Sequence, residues 1–110
     1  VDPRDVVLAI LLLNEKLGRR LTERGVKKIA AGVGVDNAMS ILHSLREERL
    51  IDDTMKLTER GIEEAQEAIK RLEREVKKGF LGTLKWLNFK TKLAPQRIPK
   101  GGCIQGDFSD

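Results

Sequence analysis

A mainly α-helical fold carrying one small β-hairpin is predicted by three features of this 110-residue chain. Apolar residues recur at spacings of three and four along most of residues 3–80, the period of an amphipathic helix. That period fails once, between Leu50 and Leu57, where two short apolar runs flank Asp53-Thr54 in the manner of a hairpin. The last periodic stretch, from Ile62 to Phe80, narrows to a single seam, which predicts a long C-terminal helix suited to dimerisation.

Asp2-Pro3 opens the first helix, because an aspartate accepts a hydrogen bond at the N-cap and proline fits the first turn without losing a needed donor. This helix should run to about Leu17 and end at Gly18. Its apolar residues Val6 through Leu13 surround the axis and do not form one stripe, so a partner subunit is the expected cover. Thr22 is a good cap for a second helix with Val26, Ile29 and Ala30 at helical spacing, up to the break Gly32-Val33-Gly34. Asp36 is expected to cap a third helix, residues 36–49, whose Ala38, Ile41, Leu42 and Leu45 make one buried face.

Leu50-Ile51-Asp52 and Met55-Lys56-Leu57 then read as the two strands of the hairpin, with no glycine to favour the tightest turn. Thr58 caps the fourth helix, in which Ile62, Ala65, Ile69, Leu72, Val76 and Phe80 form the seam. Glu, Lys and Arg flank it, so a second copy of the helix is the expected partner and these six residues the expected dimer interface. Gly79 and Gly82 should loosen the helix, after which Leu84, Trp86 and Leu87 support a further amphipathic turn or two. The chain accordingly divides into a core at 1–57, a dimerising helix or helices at 58–93, and an extended basic tail rich in Gly and Pro at 94–110.

Composition bounds what such a chain can do. Hydrophobic residues make up 40% and charged residues 35%, the balance of one small soluble domain too short for a two-lobed enzyme with a cofactor cleft. Cys103 and His43, each single, cannot assemble a disulfide framework or a His/Cys metal cluster, so no cofactor is expected. The longest apolar run has eight residues, well below the roughly 18 that span a bilayer. Asp2 and Asp5 stand where a basic leader would lie, which points to a cytoplasmic location. Abundant Glu, Lys and Arg with few Asn, Gln and Cys is a thermophile-like bias.

The formal charge of +4 is unevenly placed. Residues 1–76 hold 14 basic and 15 acidic side chains, whereas residues 77–110 hold 7 basic and 2 acidic ones. Lys77, Lys78, Lys85, Lys90, Lys92, Arg97 and Lys100 are interleaved with Phe80, Trp86 and Phe89. That stretch suits a DNA backbone, an anionic membrane surface or an acidic protein, and equally a packed aromatic core with wet lysines.

The order of three helices, hairpin and helix resembles a winged helix-turn-helix domain. Ile29-Ala30-Ala31-Gly32-Val33-Gly34-Val35 resembles its second helix and turn, Asp36 to Leu45 its recognition helix, and Leu50-Ile51 the start of its wing. Lys56-Leu57-Thr58-Glu59-Arg60-Gly61 is similar to the segment that leaves the wing in the PadR and MarR regulator families. The resemblance covers residues 3–78 and implies a prokaryotic homodimeric transcriptional regulator that binds double-stranded DNA. Two departures stand out: Arg49 replaces the glycine these families usually place before "LI", and the hairpin leaves almost no wing. Thr22-Glu23-Arg24-Gly25-Val26 nearly repeats the motif at Thr58, by chance or through capping logic shared by two helix starts, and the match is too short for a solenoid repeat.

With the third helix in a major groove, its outward face would supply the readers. A turn of 100° per residue places Asp36, Asn37, Ser40, His43, Ser44 and Glu47 outward. Asn37 pairs in principle with adenine; Ser40, His43 and Ser44 reach bases or phosphates. Arg19, Arg20, Lys27, Lys28, Arg46, Arg49 and Lys56 are the candidate phosphate contacts. The same residues also suit an ordinary solvated surface, and the outward face carries Glu47 but no Lys or Arg. The alternative function is therefore a winged-helix module that binds protein within a larger assembly. No nucleophile-base set, metal spacing or phosphate-binding glycine loop supports an enzyme, and Gly32-Val33-Gly34 reads as a turn.

Overall fold

The computed structural model describes residues 2–95, and the expected tail at 94–110 falls almost wholly outside them. Five helices occupy these residues: α1 (Pro3–Lys16), α2 (Glu23–Gly32), α3 (Ala38–Glu47), α4 (Glu59–Val76) and α5 (Gly82–Leu93). The starts of α1, α2 and α4 each follow from a local side-chain hydrogen bond. Asp2 accepts from the Arg4 N–H at 2.9 Å, Thr22 from Gly25 at 3.0 Å and Thr58 from Gly61 at 3.1 Å. The two threonine motifs are thus the same cap used twice. α3 begins one residue later than expected, with Asn37 and not Asp36 at the N-cap, and the Asn37 side chain makes no capping bond.

α1 is the central element. Val6 through Leu12 are at most 5% exposed within the single chain, because α4 lies along one side of the helix while α2, α3 and α5 cover the others. The expectation that a partner subunit covers α1 is corrected on this point. Its all-round apolar surface is the signature of a helix ringed by its own domain.

The α4 seam is divided in the same way. Ala65 and Leu72 are buried in the chain's own core together with Ala68, which the seam had omitted, while Ile62, Ile69 and Val76 are half-buried against that core and Phe80 is 98% exposed. Alanine at 65 and 68 lets the two helix backbones approach closely. Asp5 of α1 and Arg71 of α4 join the pair. Arg71 Nε and Nη2 donate to the two carboxylate oxygens at 3.0 and 2.8 Å. The carboxylate holds the Arg71 guanidinium above its ordinary pKa.

The expected hairpin, and with it the winged-helix fold class, is overturned. No strand forms among the described residues, which are helical apart from turns, loops and one isolated antiparallel bridge, Ile51 to Leu57. Asp52 N–H donates to the Lys56 carbonyl at 2.9 Å and Thr58 N–H to the Leu50 carbonyl at 3.0 Å. Beyond these the ladder cannot extend, because Arg49 (φ 63°) and Met55 (φ 68°) both adopt the left-handed region. Met55 takes the conformation a glycine would otherwise supply.

A side chain then replaces strand pairing inside the turn. Asp52 Oδ1 accepts from Thr54 Oγ1 (2.7 Å), Thr54 N–H (2.8 Å) and Lys56 N–H (3.0 Å). The Thr54 hydroxyl first, then the Lys56 amide, hold this carboxyl below its ordinary value of 3.8. A depressed carboxyl stabilises the turn above 3.8 and loses that contribution as pH falls through the lower folded value. The amide signals of Thr54 and Lys56 should therefore titrate with a midpoint below 3.8 in a pH series followed by NMR. A midpoint at or above that value would mean that the carboxylate is not held.

After α4 the chain turns at Gly79 (φ 102°), so the expected C-terminal segment is two helices. α5 folds back onto α1. Trp86 and Leu93 are buried, Phe89 is half-buried, and the Trp86 and Phe89 rings lie 6.2 Å apart. Lys90 Nζ sits 6.0 Å from the Trp86 ring centroid, a cation–π contact. Leu81, Leu84 and Leu87 remain exposed beside Phe80.

Candidate nucleic-acid interface

α2, the turn at 33–37 and α3 pack against one another, and their orientation is set by buried residues. Val26 and Ala30 of α2, Val35 of the turn, and Ala38, Leu42 and Leu45 of α3 enter the core. Gly34 takes φ 88° in the turn, and the Val35 N–H closes back on the Ala30 carbonyl at 2.9 Å. With this face committed, Asn37, Ser40, His43, Ser44 and Glu47 are all exposed. The helical period therefore located the outward face correctly, apart from Met39, which shares it at 42% exposure. Ile41, expected in the core, is half-buried. His43 Nε2 lies 3.5 Å from the Glu47 carboxylate one turn on, an ion pair when the imidazole is protonated.

The candidate phosphate contacts separate into two groups. Arg20, Lys27, Lys28, Arg49 and Lys56 are exposed and make no ion pair among the described residues. Arg46 and Arg19 are already engaged. Arg46 Nη2 donates to Glu23 of α2 at 3.3 Å, so it braces α2 against α3, with its Nε buried and without a hydrogen-bond partner. Arg19 Nη1 donates to Asn14 Oδ1 at 3.2 Å. Asn14, 1% exposed, also donates to the Leu93 carbonyl of α5 at 3.0 Å and to Ile10 at 2.7 Å.

Arg49 is unusual for its backbone. It follows the end of α3, its N–H donates to the Arg46 carbonyl at 3.0 Å, and that of Leu50 donates to Leu45 at 2.9 Å. This is the helix-ending position at which glycine is favoured, and a side chain there costs about 1 kcal/mol. The glycine of the regulator families would fit this geometry without strain.

Arg24 is not among the expected phosphate contacts, and Lys92 is expected only within the basic C-terminal stretch. Arg24 and Lys92 line a groove of about 840 Å3 between α2 and the end of α5, together with Arg19, Arg20 and Lys28. Arg24 and Lys28 stand one turn apart on α2 and were legible as a pair. Lys92 reaches them only because α5 folds back. A smaller cavity of about 450 Å3, lined by Asn14, Arg19, Met55 and Lys56 among others, lies between the end of α1 and the 52–56 turn. Among the described residues no group of three or more His, Cys, Asp or Glu is placed to hold a metal ion, and no helix is long and apolar enough to cross a membrane.

Comparison with known proteins returns no match among family models, curated proteins or solved structures.

Proposed function

We propose that this chain is a sequence-specific double-stranded DNA-binding protein, a homodimeric transcriptional regulator that lays α3 in the major groove. The observation that carries the reading is the exposed polar face of α3. Asn37, Ser40, His43 and Ser44 lie together on it, and the Asn37 amide is not spent on capping. An amide and hydroxyls in this array can pair with base edges, and exposed Lys27, Arg49 and Lys56 are available to phosphates. Arg49 supports the reading from its backbone, since a strained residue retained where glycine is favoured suggests a use for its side chain. The homodimer rests on exposed Phe80, Leu81, Leu84 and Leu87, large apolar side chains that a second copy of the chain would cover.

Binding to a pool of random duplexes, with selection of the preferred sequence, tests the proposal. Affinity should fall steeply as salt rises from about 50 to 200 mM, as phosphate neutralisation requires. Asn37→Ala with Ser40→Ala should flatten sequence preference more than it lowers non-specific affinity. Arg49→Gly should gain about 1 kcal/mol of stability while binding duplex less tightly. Salt-independent binding, or loss of overall affinity alone in the Asn37 and Ser40 variant, would remove the reading role. The same apolar group, with no Lys or Arg on the outward face of α3, favours a second reading: a protein-interaction module. That reading predicts a complex with another protein that survives high salt and no retardation of duplex DNA.

A further inference from the structure

We propose that the groove between α2 and the end of α5 is a second anion site, built for contiguous phosphate groups and separate from the α3 face. Five cations border it: Arg19 and Arg20 from the α1–α2 connection, Arg24 and Lys28 from α2, and Lys92 from the last turn of α5. Among the described residues no carboxylate lies on its wall. Arg20, Arg24, Lys28 and Lys92 make no ion pair among the described residues. Residues 1–76 carry one more acidic than basic side chain, so this concentration of like charge is local. Crowded cations repel one another, and a bound polyanion offsets that repulsion.

A buried amide ties two edges of the groove together: Asn14 accepts from the Arg19 guanidinium and donates to the Leu93 carbonyl, so one side chain orders Arg19 and anchors the backbone next to Lys92. Such pre-ordering lowers the entropy lost on binding. Three of the five cations are arginines, whose planar forks match phosphate oxygens in pairs. The volume of about 840 Å3 suits a nucleotide-sized ligand, and Leu21 and Ile29 offer an apolar wall.

The position of the groove separates it from the proposed duplex contact. Glu23 faces α3, because it binds Arg46. At 100° per residue, Gly25, Ile29 and Gly32 lie on the opposite flank of α2, and these residues line the groove. A duplex seated along α3 leaves it unfilled.

Calorimetric titration of the full chain at about 50 mM salt, with inorganic tripolyphosphate, ATP and a short single-stranded oligonucleotide as separate probes, tests the site. Tripolyphosphate and ATP binding alike would identify a free polyphosphate as the source. Binding by the oligonucleotide alone would identify a nucleic-acid backbone. Either result supports contiguous phosphate recognition. Arg24→Gln with Lys28→Gln should weaken binding about tenfold or more. Gly32→Glu should do the same while keeping the fold, because a β-carbon there meets nothing within 4 Å. Gly32→Ala, and Asn37→Ala with Ser40→Ala, should bind as the parent does. The site is refuted if none of the probes binds, if the charge variants bind unchanged, or if a polyglutamate of matched charge binds equally well. Because no probe is a duplex, failure here is distinguishable from failure of the α3 reading.

Discussion

Gly61→Ala is expected to destabilise the fold by about 3 kcal/mol or more, the upper range for forcing an extra carbon into a packed site. A β-carbon at Gly61 would lie 1.9 Å from the Leu50 carbonyl oxygen and 3.1 Å from Leu57 Cδ2. The carbonyl cannot swing aside, because it accepts the Thr58 N–H at 3.0 Å while Thr58 Oγ1 donates to the neighbouring Arg49 carbonyl at 2.8 Å. Gly25 occupies the same place in the twin motif, yet a β-carbon there meets Thr22 Oγ1 at 3.5 Å, Leu21 Cδ2 at 3.6 Å and Leu21 Cβ at 4.0 Å, ordinary contacts. Gly25→Ala should therefore be neutral or gain up to about 1 kcal/mol from helix propensity. Urea unfolding of the two variants decides the matter; equal losses would mean that Leu50 does not press on α4 as described.

Arg71→Met is expected to cost about 3 kcal/mol, because it leaves the Asp5 carboxylate buried without its partner. Asp5 is 5% exposed and receives both guanidinium bonds. Partial exposure of Arg71 lets some water reach the pair, which keeps the expected loss at the lower end of that for buried ion pairs. Asp5→Leu combined with Arg71→Met should recover much of the loss, since no charge is then stranded. Denaturant midpoints of the single and double variants test this, and a double variant as unstable as the single one would refute it.

These two cases mark where sequence reasoning succeeded and stopped. Thr22 and Thr58 announced two helix starts because their capping bonds reach only three residues along the chain. The same local period placed Asn37, Ser40, His43 and Ser44 on one outward face of α3. The motif could not tell that Gly61 is pressed by Leu50 while Gly25 is not. The hairpin failed because Arg49 and Met55 turn the backbone left-handed and Asp52 takes amide hydrogen bonds within the turn, so only one bridge forms.

Helix starts, helix breaks and the polar face of α3 were thus written in residues a few positions apart, where hydrogen bonds and the 3.6-residue period act. Which surface covers α1, how the α4 seam is divided, and the gathering of Arg19, Arg24 and Lys92 around one groove were decided by tertiary packing. The bond from Asn14 to Leu93 spans 79 positions. Such a contact is selected by the shape and burial of the assembled core, and no local pattern encodes it.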